Sequence, residues 1–272
     1  MSFIKAEDGT NLFYKDWGKG QAILFVHGWC INSDSWEYVM NDLARKNYRC
    51  IAYDQRGCGR SDQPWDGYDF KTLASDLARV INELKLDDII LVGHSMGCGV
   101  ISQYLADNND AKTKRAILIG GTIPFLLKTD NNEDGIDEIY LDQAIAFMQK
   151  DRPAYVRSIV GGFFDLSAEN CKVTNDFTEW GISITLQASM QASIEMLRTG
   201  VKTDLREVLK TINIPVLLLH GTKDESCPME LTAKKAQKLF KHCQLKIYED
   251  QPHGMYMMDA ERISADIIAF VS

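Results

Sequence analysis

The chain has no long run of one charge, no Cys-x-x-Cys pair and no apolar stretch long enough to cross a bilayer, and each absence closes off a class of function. Its 30 Lys and Arg are scattered among 38 Asp and Glu, for a net charge of −8. That balance opposes recognition of nucleic acid or of an anionic membrane by bulk electrostatics, so the expected partner is a small neutral or apolar molecule. Seven cysteines at irregular spacing fit free thiols in a reducing compartment better than a disulfide framework or a structural zinc site. The longest apolar run, around Ala116 to Leu127, is short and broken by glycine and proline, and Met1 to Thr10 lacks a basic-then-apolar leader. A cytoplasmic protein without a membrane anchor is expected. Repeats, linkers and low-complexity segments are also missing.

What is present is an ordinary globular chain of 272 residues, 45% hydrophobic and 25% charged, enough for one large core or one core with a small lobe. Short β-branched or apolar runs alternate with amphipathic stretches, the pattern of strands and helices around a mainly parallel sheet. Strands are expected over Asn11 to Trp17, Ala22 to His27, Arg49 to Tyr53, Asp88 to Gly93 and Arg115 to Ile119. Helices are expected over Ser35 to Lys46, Lys71 to Leu84 and Ser95 to Asp107. From about Ile123 to Leu205 the pattern turns to amphipathic helices rich in aromatics and methionines with no clear strand, which reads as a helical lid inserted in the sheet domain. Most of those side chains should be helix-packing core, with only some lining a pocket. The alternation resumes with a strand over Ile214 to His220, a helix over Met229 to Phe240, a strand over Leu245 to Glu249 and a last helix over Ala260 to Val271.

Gly93-His94-Ser95-Met96-Gly97 follows the buried run Ile89 to Val92 and precedes a helix, the context in which Gly-x-Ser-x-Gly makes a nucleophile turn. The spacing is steric, since a serine on so sharp a turn tolerates only small residues two positions either side. The turn also puts the hydroxyl at a helix N-terminus, where the Met96 amide becomes an oxyanion donor. A serine nucleophile needs a base, and of five histidines only His253 sits in a loop between the last strand and the last helix. His27, His94, His220 and His242 read as structural or solvent-facing. A carboxylate must orient that histidine, and Asp224, in the loop after Val216 to His220, is the choice, with Glu225 and Asp250 as distant alternates. The second oxyanion donor is expected from the turn His27-Gly28-Trp29, through the Trp29 amide, while the indole ring walls the pocket. Cys30, Phe125, Phe147 and Trp180 are further pocket candidates. Asp54 to Ser61 faintly resembles a dinucleotide loop, but Asp62 stands where a third glycine belongs, so a structural turn and no cofactor are expected.

His-Gly-Trp, Asp-x-Arg-Gly-x-Gly-x-Ser, Gly-His-Ser-Met-Gly, His-Gly-x-x-Asp and Pro-His-Gly, in this order from Val26 to Gly254, together resemble the α/β-hydrolase superfamily. The chain is most similar to the bacterial aryl esterases and cofactor-free haloperoxidases, or perhydrolases. The resemblance implies an eight-stranded, mostly parallel sheet with helices on both faces, residues 1–122 and 206–272 forming the core and 123–205 the lid. It implies a serine hydrolase cleaving a small carboxylic ester through Ser95, Asp224 and His253, with Trp29 and Met96 as oxyanion donors, no metal and no cofactor. Cys30 and Cys98 stand where many perhydrolases carry proline and glycine, which weighs against efficient use of peroxide. A serine at the turn excludes the aspartate-nucleophile relatives. A carbon–carbon bond hydrolase or thioesterase with the same triad, and a low-turnover ligand receptor, are the alternatives, because fold and triad do not set the substrate.

Overall fold

The computed structural model describes residues 2–108, 112–169, 171 and 173–272. Eight strands form one sheet: β1 (Ser2–Lys5), β2 (Asn11–Gly18), β3 (Gln21–Val26), β4 (Tyr48–Tyr53), β5 (Ile89–His94), β6 (Thr113–Ile119), β7 (Val216–Gly221) and β8 (Cys243–Tyr248), in the spatial order 1-2-4-3-5-6-7-8. β1 and β2 pair antiparallel, β2 pairs antiparallel with β4, and every later pairing is parallel. After β3 the chain steps one way to β4, then crosses back to β5 on the other side. The carboxyl ends of β3 and β5 therefore flank a topological switch point, the place where an open parallel sheet leaves a crevice for a ligand.

Residues alternate in their facing along each strand, and both faces are apolar, as a sheet covered on two sides requires. Leu24, Val26, Leu91 and Leu118 join one buried layer; Ile23, Phe25, Val92 and Ile117 join the other. The first layer is closed by α2 (Phe70–Glu83) and α3 (Met96–Asp107), through Leu73, Leu77, Val100 and Ile101. The second is closed by α1 (Glu37–Arg45) and the last helix, through Val39, Leu43, Ile263 and Ile267.

Between β6 and β7 come α4 (Glu138–Phe164), α5 (Asn175–Thr185), α6 (Met190–Lys202) and α7 (Arg206–Thr211). α4 breaks at Asp151, whose backbone is extended (φ −157°, ψ 84°) ahead of Pro153, and the Asp151 carboxylate accepts the Ala154 N–H to start the second half. Thr174 and Ser189 cap α5 and α6 in the same way.

Three local expectations are corrected. β1 is absent from the sequence reading because it is four residues long and buries only Ile4, too short a run for alternation to mark it. The helix expected over Met229 to Phe240 shrinks to α8 (Ala233–Gln237): Pro228 opens a turn in which Leu231 and Thr232 both donate to its carbonyl. The last helix, α10 (Ala260–Val271), has the bounds expected of it and is preceded by a further short turn, α9 (Met255–Met258). Helix formation near Ser35 begins as a 3-10 turn over Ser33–Trp36, capped by Asn32.

Candidate active site

β5 ends at His94 and α3 begins at Met96, so the whole change of direction falls on Ser95, at φ 53° and ψ −121°. A non-glycine residue there costs about 1–3 kcal/mol and persists only where its surroundings hold it. Ser95 is held by donating its N–H to Ile119 O at 2.9 Å and by accepting from the Cys98 N–H at 3.0 Å. The flanking glycines are required by contact. A Cβ at Gly97 would lie 2.4 Å from the Val26 carbonyl oxygen and 2.7 Å from that of His27, and one at Gly93 would meet Gly97 backbone at 3.0 Å. The start of α3 thus lies directly on the end of β3, which fixes Ser95 against the His27-Gly28-Trp29 turn.

Asp224 and His253 arrive on the loops after β7 and β8. Asp224 Oδ2 lies 2.7 Å from His253 Nδ1, and its Oδ1 accepts the Cys227 N–H at 2.8 Å. Both side chains are buried. The ring is braced from behind, where His94 Nε2 donates to the His253 carbonyl at 3.1 Å and the two imidazoles stand 4.5 Å apart. His220 approaches the same carboxylate, with Nε2 3.4 Å from Asp224 Oδ2 while it donates to the Cys227 carbonyl at 2.7 Å. Burial, and then the neighbouring His253, pushes His94 well below the usual imidazole range; burial lowers His220 against the pull of Asp224. Both are therefore neutral braces at pH 7. Glu225 is exposed at the cavity mouth, and Asp250 is solvent-facing 3.8 Å from Lys223, so neither takes the place of Asp224 beside the ring.

Ser95 and His253 open on a cavity of about 460 Å³. Trp29 and Met96 line it too. The Trp29 ring is fixed as a wall, with Nε1 donating to Ser193 O at 2.8 Å and Tyr155 meeting it edge-on at 6.1 Å. Opposite stand Leu126, Phe163, Met196 and Leu197, all from the segment between β6 and β7. An apolar side pocket of about 60 Å³ lies against Trp29 and Phe163.

The four other pocket candidates lie off this cavity. Cys30 follows Trp29 with φ 55°, which turns its side chain into the core against Cys58. Phe125 is buried with the Arg206 guanidinium 5.2 Å from its ring centre. Phe147 sits 40% exposed behind Tyr155, against which it packs edge-on at 5.7 Å. Trp180 stacks with Tyr38 and Phe177 on the outer side of α5. The sequence did not single out Tyr155 or Cys227, whereas His220, expected to be structural, braces the Asp224 loop. Cys227 had a usable signal, standing three residues after Asp224 in the same loop.

Asp54 to Ser61 is a structural turn: buried Asp54 accepts from Ser33 N–H and Arg60 N–H at 2.8 Å each, and Arg56 makes a two-pronged pair with Asp76 at 2.6 and 2.8 Å.

A serine on a strained strand-to-helix turn at the switch point, on one cavity wall with a histidine–carboxylate pair from later loops, defines a class of α/β enzymes built for attack on carbonyl carbon. The chain belongs to the alpha/beta hydrolase fold family, whose model matches residues 21–260. It is 34% identical to a non-heme haloperoxidase of Rhodococcus erythropolis, over 100% of this chain and 99% of that one. It is equally 34% identical, over 100% and 99%, to a bifunctional esterase/perhydrolase of Acinetobacter calcoaceticus. Among solved structures it resembles a bromoperoxidase from Bacillus anthracis (TM-score 0.95, 29% identity, 99% of each chain covered). An esterase from Exiguobacterium antarcticum is similarly close (TM-score 0.94, 32% identity, 99% and 98% covered). Among the described residues, no helix is long and apolar enough to cross a membrane.

Proposed function

We propose that this protein is a serine esterase that cleaves a small, neutral carboxylic ester through an acyl-enzyme on Ser95. The observation that carries the reading is the 2.7 Å contact of His253 Nδ1 with buried Asp224, on the same cavity wall as the strained Ser95. Asp224 holds the His253 proton on Nδ1, which leaves Nε2 as the base. His253 takes the Ser95 proton as Oγ attacks the acyl carbon; the Trp29 and Met96 amides hold the oxyanion, and His253 returns the proton to the departing alcohol. Water activated by the same imidazole then releases the acid. Residues 123–205 serve as a lid that supplies much of the cavity wall. Its apolar lining and a volume within the usual range for small-molecule sites support an uncharged, aryl- or alkyl-bearing ester. Seven free thiols support a reducing, cytoplasmic setting.

Likeness to an esterase/perhydrolase favours a second reading of the deacylation step, in which hydrogen peroxide replaces water and a peracid leaves. Aryl esters of increasing acyl length, with and without peroxide, separate these readings. Multiple turnovers on short esters are expected; turnover restricted to thioesters or carbon–carbon bonds, or a single burst, would overturn the esterase proposal.

A further inference from the structure

The hydrolytic mechanism leaves one buried nucleophile beside its machinery unused. Cys227 lines the cavity together with Ser95 and His253. The sulfur of Cys227, one oxygen of Asp224 and one nitrogen of His253 all lie within 4.8 Å of one another, and all three residues are buried. We propose that Cys227, His253 and Asp224 form a binding site for a thiophilic divalent cation of the zinc kind, whose occupation switches the hydrolase off.

The chemistry of the donor set selects the cation. A thiolate and an imidazole suit zinc, whereas magnesium and calcium demand all-oxygen cages. Zinc bonds of about 2.0–2.3 Å give a tetrahedron with edges of roughly 3.5 Å, so the three donors close on the ion with side-chain movements of about 1 Å. The sulfur is prepared for that by its backbone. The Cys227 carbonyl accepts from His220 Nε2 at 2.7 Å and from Thr232 Oγ1 at 3.2 Å, while its N–H is held by Asp224. Such supporting contacts orient a ligand and raise metal affinity. Access is provided by the cavity itself, which reaches Cys227 and His253 from the substrate side. The neighbouring thiol does not compete, because Cys98 donates to Gly93 O and Ile119 O at 3.4 and 3.6 Å.

Binding replaces the S–H bond of Cys227 by an S–Zn bond and releases the proton to solvent; nothing is oxidised or reduced. The ion then occupies a nitrogen of His253 and an oxygen of Asp224, so the base can no longer serve Ser95. The inhibitory half of the proposal rests on the hydrolase reading, but the binding half does not.

The experiment uses the intact protein freed of metal by chelator and dialysis. Co²⁺ is titrated while the thiolate-to-cobalt absorption in the near ultraviolet is followed, and Zn²⁺ is titrated against aryl-ester turnover. Cys227→Ala and Cys227→Val retain the backbone N–H that holds Asp224, and the inhibition of each is read relative to its own metal-free turnover. The wild type should bind one Co²⁺ per chain with the thiolate band and lose turnover to Zn²⁺. Both variants should lose the band and need at least about tenfold more Zn²⁺ for the same inhibition. A band that survives in both variants, or equal inhibition of wild type and variants, would overturn the site. A cobalt–thiolate band in a protein with no esterase turnover would leave the site standing and remove the hydrolase reading instead.

Discussion

Gly97→Ala tests the geometry on which the site depends. The new methyl group would start 2.4 Å from Val26 O and 2.7 Å from His27 O, both backbone atoms at the end of β3. Ordinary contact needs the start of α3 to move away from β3 by about 1 Å, since neither carbonyl can swing aside as a side chain would. These two segments carry the proposed oxyanion amides, Met96 on α3 and Trp29 after β3, so the displacement opens the gap between them. A misplacement of about 1 Å at reacting groups costs on the order of 100-fold in rate. Overpacking of this kind costs about 1–3 kcal/mol, which for a chain of this size lowers the melting temperature by about 2–5 °C. The assay is kcat/KM on an aryl ester beside a thermal melt, with Gly200→Ala as control. Gly200 also lines the cavity, but its Cβ would meet Met96 Cγ at an ordinary 3.9 Å. A Gly97→Ala protein with full activity and an unchanged melt would refute the reasoning.

Two further predictions concern stability and thiols. Asp76→Ala strands the buried Arg56, whose other carboxylate among the described residues is the half-exposed Asp8, and should cost about 3 kcal/mol, or about 5 °C in the melt, with kcat/KM unchanged; a shift below about 1 °C would show that the pair contributes nothing net. Ellman's reagent should react fast at the half-buried Cys171 and Cys243 in the native protein, with Cys30, Cys50, Cys58 and Cys98, which lie off the cavity, reacting on unfolding; a rapid native release of all seven would contradict the burial.

Local signals made the sheet and the elbow legible in the sequence. Ile89 to Val92 is an unbroken apolar run because both faces of that strand are covered, and Gly93 and Gly97 mark a turn whose contacts exclude any side chain. Asp224 and His253 could be read as candidates because each stands just beyond a strand, where an open α/β sheet gathers its chemistry, and the structure brings them within 2.7 Å of each other. The pocket wall was not legible. Phe147 was expected on the pocket and Tyr155 was not singled out, but the break at Asp151 puts Tyr155 on the cavity and leaves Phe147 behind it, a difference decided by packing across α4 and α6. Cys30 looked like a wall because it follows Trp29; its positive φ, which no sequence pattern announces, sends it to the opposite side. β1 was missed for a different reason, since this four-residue edge strand buries only Ile4 and shows no alternation long enough to read.

In the proposed mechanism Ser95 forms a covalent bond with the acyl group. The direct measurement is intact-protein and peptide mass spectrometry after treatment with a fluorophosphonate, a mimic of the tetrahedral intermediate that stays attached to an activated serine. One adduct per chain is predicted, on the peptide bearing Ser95, with loss of all turnover, and none on Ser95→Ala. An adduct mapped to another residue, or an unlabelled wild type that still hydrolyses esters, would contradict the account.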